Sequence, residues 1–157
     1  MNNIMGKSRL DDTDFAILDA LQGNARQSIF QIAKKIAIPP TTIHNRIKKL
    51  RGNGIITGYT ININREKIGQ NVCALVLVYL NNNELEPRSK KGGLARLLLK
   101  NPNIAEVFET AGNFDLIVKV YGQDIKDITR VVIDEIREIK GVEKTETIIA
   151  LSEQSRF

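Results

Sequence analysis

Between Asp19 and Glu66 the chain carries no acidic residue, and the middle of that gap reads IPPTTIHNRIKKLRGNG, residues 38 to 54. Thr41, Thr42, His44, Asn45, Arg46, Lys48, Lys49 and Arg51 crowd into it, a set of hydroxyls, an amide and cations with no carboxylate among them. Such donors suit a polyanion. Threonine hydroxyls and the free N–H groups of a helix start can meet phosphate oxygens, Asn45 can make a bidentate pair with adenine, and Lys48 and Lys49 can reach guanine edges or phosphates. Arg26 and Ser28, just upstream, extend the donor set. Arg46 has two open uses, a local ion pair or phosphate contact on one side and a base contact on the other. The plain alternative is a solvated surface helix that happens to be basic.

Catalytic chemistry has little to work with. His44 is the only histidine, and its place in the basic stretch suits a DNA-facing or solvated role. Cys73 is the only cysteine, so it makes no internal disulfide, and in the apolar run VCALVLVYL it reads as inert packing. No Cys/His spacing fits a metal, no Gly-x-Gly-x-x-Gly or Walker A pattern occurs, and no Ser-His-Asp set can be built without a second histidine. The residues point away from an enzyme, a metal or a cofactor.

The elements that must position the donors come next. Asp11 or Asp12 can cap a first helix with Ile17, Leu18 and Leu21 on its apolar side, ending at Gly23-Asn24. Ser28 and Gln31 have capping-box spacing for a second helix with the stripe Ile29, Ile32, Ala33 and Ile36. After a turn at Ala37-Ile38, a third helix begins near Pro40, where the missing N–H costs nothing, and ends at Gly52 or Gly54. On its wheel Ile43, Ile47 and Leu50 face inward while Thr41, Asn45 and Lys48 face away. Two helices joined by a tight turn, the second carrying such a face, make a helix-turn-helix. GIITGYTININ then alternates as a strand able to form a small wing.

Charge follows the same division. Residues 1–60 hold nine Lys or Arg against four acids, whereas residues 61–157 hold fourteen of each. The whole net charge of +5 therefore sits in the first part, an electrostatic footprint for nucleic acid. The remainder does another job. VCALVLVYL (72–80) reads as a strand buried on both faces. A polar connector and a short helix through Leu94, Leu97 and Leu98 follow. A strand over 104–111 and another over 114–122 flank a two-residue turn at Gly112-Asn113. Asp124 caps a helix with Ile125, Ile128, Val132, Ile136 and Ile139 on one side, and 142–151 is the last strand. The order β-α-β-β-α-β is the ferredoxin-like split unit.

The expected organisation is α+β: a flexible start over 1–9, a winged helix-turn-helix domain over 10–60, a linker strand or hinge over 61–71, a ferredoxin-like domain over 72–151 and a tail over 152–157. The apolar share of 42 % supports packed cores, no apolar run reaches the ~20 residues of a membrane span, and no secretory h-region opens the chain. A cytoplasmic, nucleoid-associated protein is expected.

In three places the chain resembles the Lrp/AsnC, or feast/famine, family of transcription regulators. LDDTDFAILDALQGNAR is similar to the family's first-helix signature. IAKKIAIPPTTIHNRIKKLRGNGIITGYTININREKIG is similar to its helix-turn-helix and following strand. TAGNFDLIVKV is similar to the hairpin motif of its C-terminal domain, and together the likeness runs from about Leu10 to Leu151. The resemblance implies double-stranded DNA as partner, dimers assembling into tetramers, octamers or rings, and a RAM (ACT-like) domain that makes the dimer and often binds an amino acid between subunits. It implies Arg at position 46, and departs at Pro39, where relatives often have a capping Ser; Thr41 or Thr42 would then cap, starting the helix a residue late. It also places effector-binding positions at Gly112, Asn113, Asp115, Thr145 and Thr147, although Asn113 stands where many relatives have Asp. Asp115 can hold an α-ammonium, and the threonine hydroxyls and loop N–H groups a carboxylate. Structural uses compete: positive φ at Gly112 and Asn113, and a backbone bond for Asp115. The rival function is an architectural, ligand-independent DNA-compacting protein of the same fold.

Overall fold

The computed structural model describes residues 10–81, 83–84 and 92–154; the expected flexible start and the end of the tail lie outside the described residues. The chain divides into two compact units, the first closing at Asn62 and the second opening at Ile63.

Three helices form the first unit: α1 (Asp12–Gly23), α2 (Ile29–Ile36) and α3 (Pro40–Gly52). Asp11 caps α1, its carboxylate accepting from Asp14 N at 2.9 Å while the Asp14 carboxylate accepts from Asp11 N at 3.2 Å. Ser28 and Gln31 close the same reciprocal box on α2, satisfying donors that helix geometry leaves orphaned. Ala37, at φ 55°, turns the chain from α2 into α3. Ile17, Ala20, Ile32, Ile43 and Leu50 meet in a shared core.

Helix α3 starts at Pro40 and not later. Pro39 is its N-cap without a side-chain bond, and its carbonyl accepts from Thr42 N at 3.0 Å and Ile43 N at 3.2 Å. Neither threonine caps the helix. Pro39 is already extended and Pro40 already helical in φ, so the backbone starts the turn unaided. The expected wing is absent: residues 55–71 contain no strand, only a 3₁₀ turn at Glu66–Ile68. An isolated extended segment has nothing in one chain to complete its hydrogen bonds.

In the second unit, β1 (Val72–Leu80), α4 (Gly93–Leu98), β2 (Ile104–Glu109), β3 (Leu116–Gly122), α5 (Ile125–Arg130) and β4 (Val142–Ile149) follow the ferredoxin-like order. The sheet runs β2-β3-β1-β4 with every neighbour antiparallel. Helix α5 continues into a π-helical segment, Val131–Ile136. Its core-facing residues are Ile128, Val131, Val132 and Ile136, whereas Ile125, at the first helical position, is 62 % exposed.

Strand β1 is buried on one face only. Ala74, Val76 and Val78 lie under α4 and α5 with Leu94, Leu98 and Ile128, while Cys73, Leu75, Leu77 and Tyr79 on the other face are half-buried. Both helices cover the same side, which leaves the second apolar row bare. The β2–β3 connection is also longer than a two-residue turn. Thr110 N donates to Asp115 O at 2.8 Å, so residues 111–114 form the loop, and neither Gly112 nor Asn113 has positive φ. Asp115 is drawn to β1 instead, donating its N–H to Val78 O at 2.9 Å, and β3 begins only at Leu116. Among the described residues no helix is long and apolar enough to cross a membrane.

Candidate nucleic-acid interface and effector face

The two proline residues place α3 so that Ile43 and Leu50 are buried and Ile47 half-buried, which turns the donors outward. Thr41, His44, Asn45, Lys48, Lys49 and Arg51 are exposed and Thr42 is half-buried. Because Pro39 O takes the amides of Thr42 and Ile43, the Thr41 N–H points out of the first turn with no partner among the described residues. That is the arrangement a helix start needs to meet a phosphate. Beside the C-terminal half of α3 lies a groove of 740 Å³, with His44, Lys48 and Arg51 on the helix side and Thr57 and Tyr59 on the segment that follows.

The remaining predicted DNA-facing residues differ in how free they are. Arg26 is exposed just beyond α1, its backbone N–H held by the Asn24 side chain at 2.9 Å. Ser28 is exposed, but its hydroxyl is engaged in the capping box. Arg46 adopts the ion-pair alternative: its Nη1 lies 2.7 Å from Asp11 Oδ2 and 2.9 Å from Asp14 Oδ1. This clamps α3 to the start of α1 and, through the hydrogen bond to Arg46, holds the Asp11 carboxyl below its ordinary value. Two cations outside the predicted set, Lys34 and Lys35 on α2, are exposed as well.

The five residues predicted to bind an effector are not joined in one chain. Gly112 and Asn113 are exposed in the hairpin loop. Asp115 is half-buried, and its Oδ2 accepts from Leu80 N at 2.8 Å, the backbone role that competed with a ligand role. Thr145 is only 8 % exposed and its hydroxyl accepts from Arg137 Nε at 2.7 Å. Thr147, one pleat further along β4, is exposed. Among the described residues no hydrogen bond links the hairpin to either threonine.

Sequence reasoning missed a network on the uncovered face of the sheet. Glu153, beyond β4, returns to accept from Tyr121 Oη at 2.5 Å and to pair with Lys119, while the Arg65 guanidinium stacks 4.5 Å over the Tyr121 ring. The Lys119 hydrogen bond holds the Glu153 carboxyl below its ordinary value, and burial with Glu153 nearby raises the Tyr121 phenol. Burial opposes the charge on Lys119, but Glu153 and the Tyr121 hydroxyl together outweigh it and raise the ammonium. Strand alternation places Lys119 and Tyr121 together; nothing in the spacing announces Glu153. No group of His, Cys, Asp or Glu among the described residues could hold a metal.

An outward cationic helix on a helix-turn-helix, followed by a separate ferredoxin-like unit, defines a class: DNA-binding regulators with an appended sheet domain. Comparison with known proteins narrows it. Residues 10–57 match the family described as winged helix-turn-helix DNA-binding, and residues 73–156 match the Lrp/AsnC ligand binding domain. The chain is 39 % identical to the uncharacterized HTH-type transcriptional regulator PH1916 of Pyrococcus horikoshii, over 90 % of its own length and 92 % of that protein's. It is 32 % identical to the regulatory protein AsnC of Escherichia coli, over 90 % of each. The E. coli AsnC structure superposes with a TM-score of 0.78, covering 95 % of this chain and 97 % of that one. The transcriptional regulator NMB0573 of Neisseria meningitidis, solved as an L-Met complex, shares the fold with a TM-score of 0.84 at 23 % identity, covering 94 % of each chain. The chain belongs to the Lrp/AsnC family of transcriptional regulators. It carries a DNA-binding helix-turn-helix and a ligand-binding domain, and it is a regulator, not an enzyme.

Proposed function

We propose that the protein is a sequence-specific transcription regulator that works as a homodimer or larger assembly in the cytoplasm, at the nucleoid, and responds to an amino acid. The carrying observation is the exposed face of α3, with Asn45 flanked by Thr41, Lys48 and Lys49 and its isoleucine side buried. In this reading Asn45 reads a base in the major groove, while Thr41, Thr42, His44, Lys48, Lys49, Arg51, Arg26 and Ser28 meet the backbone and fix register. Arg46 positions α3 through its ion pairs. A second copy of the chain covers the bare side of the sheet, where Phe108 and Ile148 are 50 % and 51 % exposed beside half-buried Leu75, Leu77 and Ile117. A two-fold pair then offers two recognition helices to two half-sites, and further association yields tetramers or octamers.

An amino-acid effector is supported by the match to a ligand-binding domain and by the L-Met complex of the Neisseria regulator. Gly112, Asn113, Asp115, Thr145 and Thr147 are the proposed contacts, completed by a neighbouring subunit because one chain leaves them apart.

Asn45→Ala tests the DNA half of the reading. Selected genomic fragments should lose about 1–3 kcal/mol of affinity, with random DNA unaffected. An equal loss on both, or a steep salt dependence with almost no preference for selected fragments, would instead establish the architectural DNA-compacting function.

A further inference from the structure

We infer that Arg137, which no motif singles out, is the residue that holds the effector's α-carboxylate; the inference rests on the amino-acid reading above. Thr145, Thr147 and Ile149 alternate onto the helix-covered side of β4, across from Val78, Val76 and Ala74 on β1. Thr145 is enclosed, whereas Thr147 and Ile149 are exposed, so an open row begins where the cover of the helix ends.

Arg137 stands at the head of that row because the helix changes type before it. Its amide donates to Val132 O at 3.0 Å, five residues back, closing the π-helical segment Val131–Ile136. A π turn inserts a residue and re-aims whatever follows, and such turns recur at functional sites. Here it brings the Arg137 Nε to Thr145 Oγ1 at 2.7 Å. That single bond fixes the plane of the guanidinium, and its two terminal nitrogens have no partner among the described residues. Arg137 is exposed, and among the described residues no carboxylate lies within ion-pair distance of it.

A guanidinium held flat by Nε, with its terminal fork open to solvent, matches a two-oxygen planar anion. The Thr147 hydroxyl, one pleat along, adds a neutral donor, and Ile149 continues the row with an apolar side chain. The ligand class is therefore an α-amino acid bound carboxylate-first against β4. Asp115 and the hairpin loop of a neighbouring subunit are left for the ammonium.

The experiment is titration calorimetry on the full chain, first with the twenty amino acids, then with the tightest binder and its decarboxylated amine. Arg137→Gln retains a donor for Thr145 but removes the charge. It should weaken the amino acid by about tenfold or more, the scale of a lost charge-assisted bond, and leave the amine's weaker binding unchanged. Thr147→Val, at an exposed hydroxyl, should show the same split at smaller amplitude, and it carries the test if Arg137→Gln does not fold. Equal binding of the amino acid by wild type and both variants, or equal losses for acid and amine, would overturn the role of Arg137 while sparing the effector reading. Should wild type bind none of the twenty, the effector reading itself falls and takes this inference with it.

Discussion

The two polar surfaces of this chain are built in opposite ways. On α3 the polar groups are unspent: Asn45, Lys48, Lys49 and Arg51 face solvent, and the helix is held by Ile43 and Leu50 below them and by the Arg46 clamp at its side. On the sheet domain the polar groups are largely spent inside the chain, Asp115 on Leu80 N and Thr145 on Arg137. A surface for a rigid polyanion can be finished within one subunit, because phosphates need donors at a known spacing and little enclosure. A small ligand needs walls on several sides, and one ferredoxin-like unit with helices on a single face supplies too few. In the proposed reading, the DNA face is then a property of the chain and the effector face a property of an assembly.

The largest effect should come from denying the assembly. Leu77 lies half-buried in the middle of the bare sheet face, paired across to Ile117 on β3 and Glu146 on β4. Leu77→Asp should leave the monomer folded, since the site is partly wetted there. In a two-fold interface the substitution counts twice and buries two unpaired carboxylates, a cost of several kcal/mol, roughly 3 or more. Sedimentation should show monomers, and affinity for two-half-site DNA should collapse towards that for a single half-site. Retained dimers would mean that the copies meet elsewhere and that the contrast between the surfaces is misplaced.

How far the sequence foretold these surfaces follows from the range of the interactions that build them. Helix α3 was legible because everything that shapes it is local: Pro40 at the first position, a 3.6-residue apolar stripe and an acid-free run. The capping boxes at Asp11 and Ser28 each span three residues. Helix α3 starting on Pro39's backbone alone was not legible, since capping by Thr41 or Thr42 satisfies the same local rules. The hairpin failed for a different reason. Gly112-Asn113 is a good turn signal, but the bond from Leu80 N to Asp115 crosses 35 residues and overrides it. Glu153 reaches Lys119 across 34 residues, again with no local trace. The double-buried reading of VCALVLVYL and the missing strand over 55–63 share one cause: composition records what the residues are suited to bury or pair with, not whether this chain supplies the partner.

An intermediate effect sharpens the contrast on the sheet side. Asp115→Ala should leave the Leu80 N–H without its acceptor and destabilise the sheet domain by about 1–3 kcal/mol, the cost of a stranded donor. Denaturant unfolding followed by a probe in that domain would read it, and the helix-turn-helix unit should keep its own transition. Asn45→Ala, by comparison, should leave both transitions where they are. If Asp115→Ala were neutral for stability, its carboxylate would be as unspent as the α3 donors, and the two surfaces would no longer differ in kind.

The smallest effect concerns Arg46, the one cation of α3 that is spent among the described residues. Asp11→Asn keeps an N-cap of equal quality for α1 and removes one of the two carboxylate charges that face Arg46. Because the folded Asp11 carboxyl lies below its ordinary value of 3.8, the pair contributes stability above that pH and loses it as acid protonates the folded carboxylate. The melting temperature of wild type should thus exceed that of Asp11→Asn slightly at neutral pH, with the gap closing below pH 3.8 and shrinking in high salt, as expected for a surface pair. DNA affinity decides what Arg46 is for. A clamp that merely orients α3 keeps Asp14 as partner, so the variant should bind DNA as wild type does. An Arg46 that competes between Asp11 and phosphate would be released by the substitution, and tighter, more salt-sensitive binding would move it to the unspent side of the comparison.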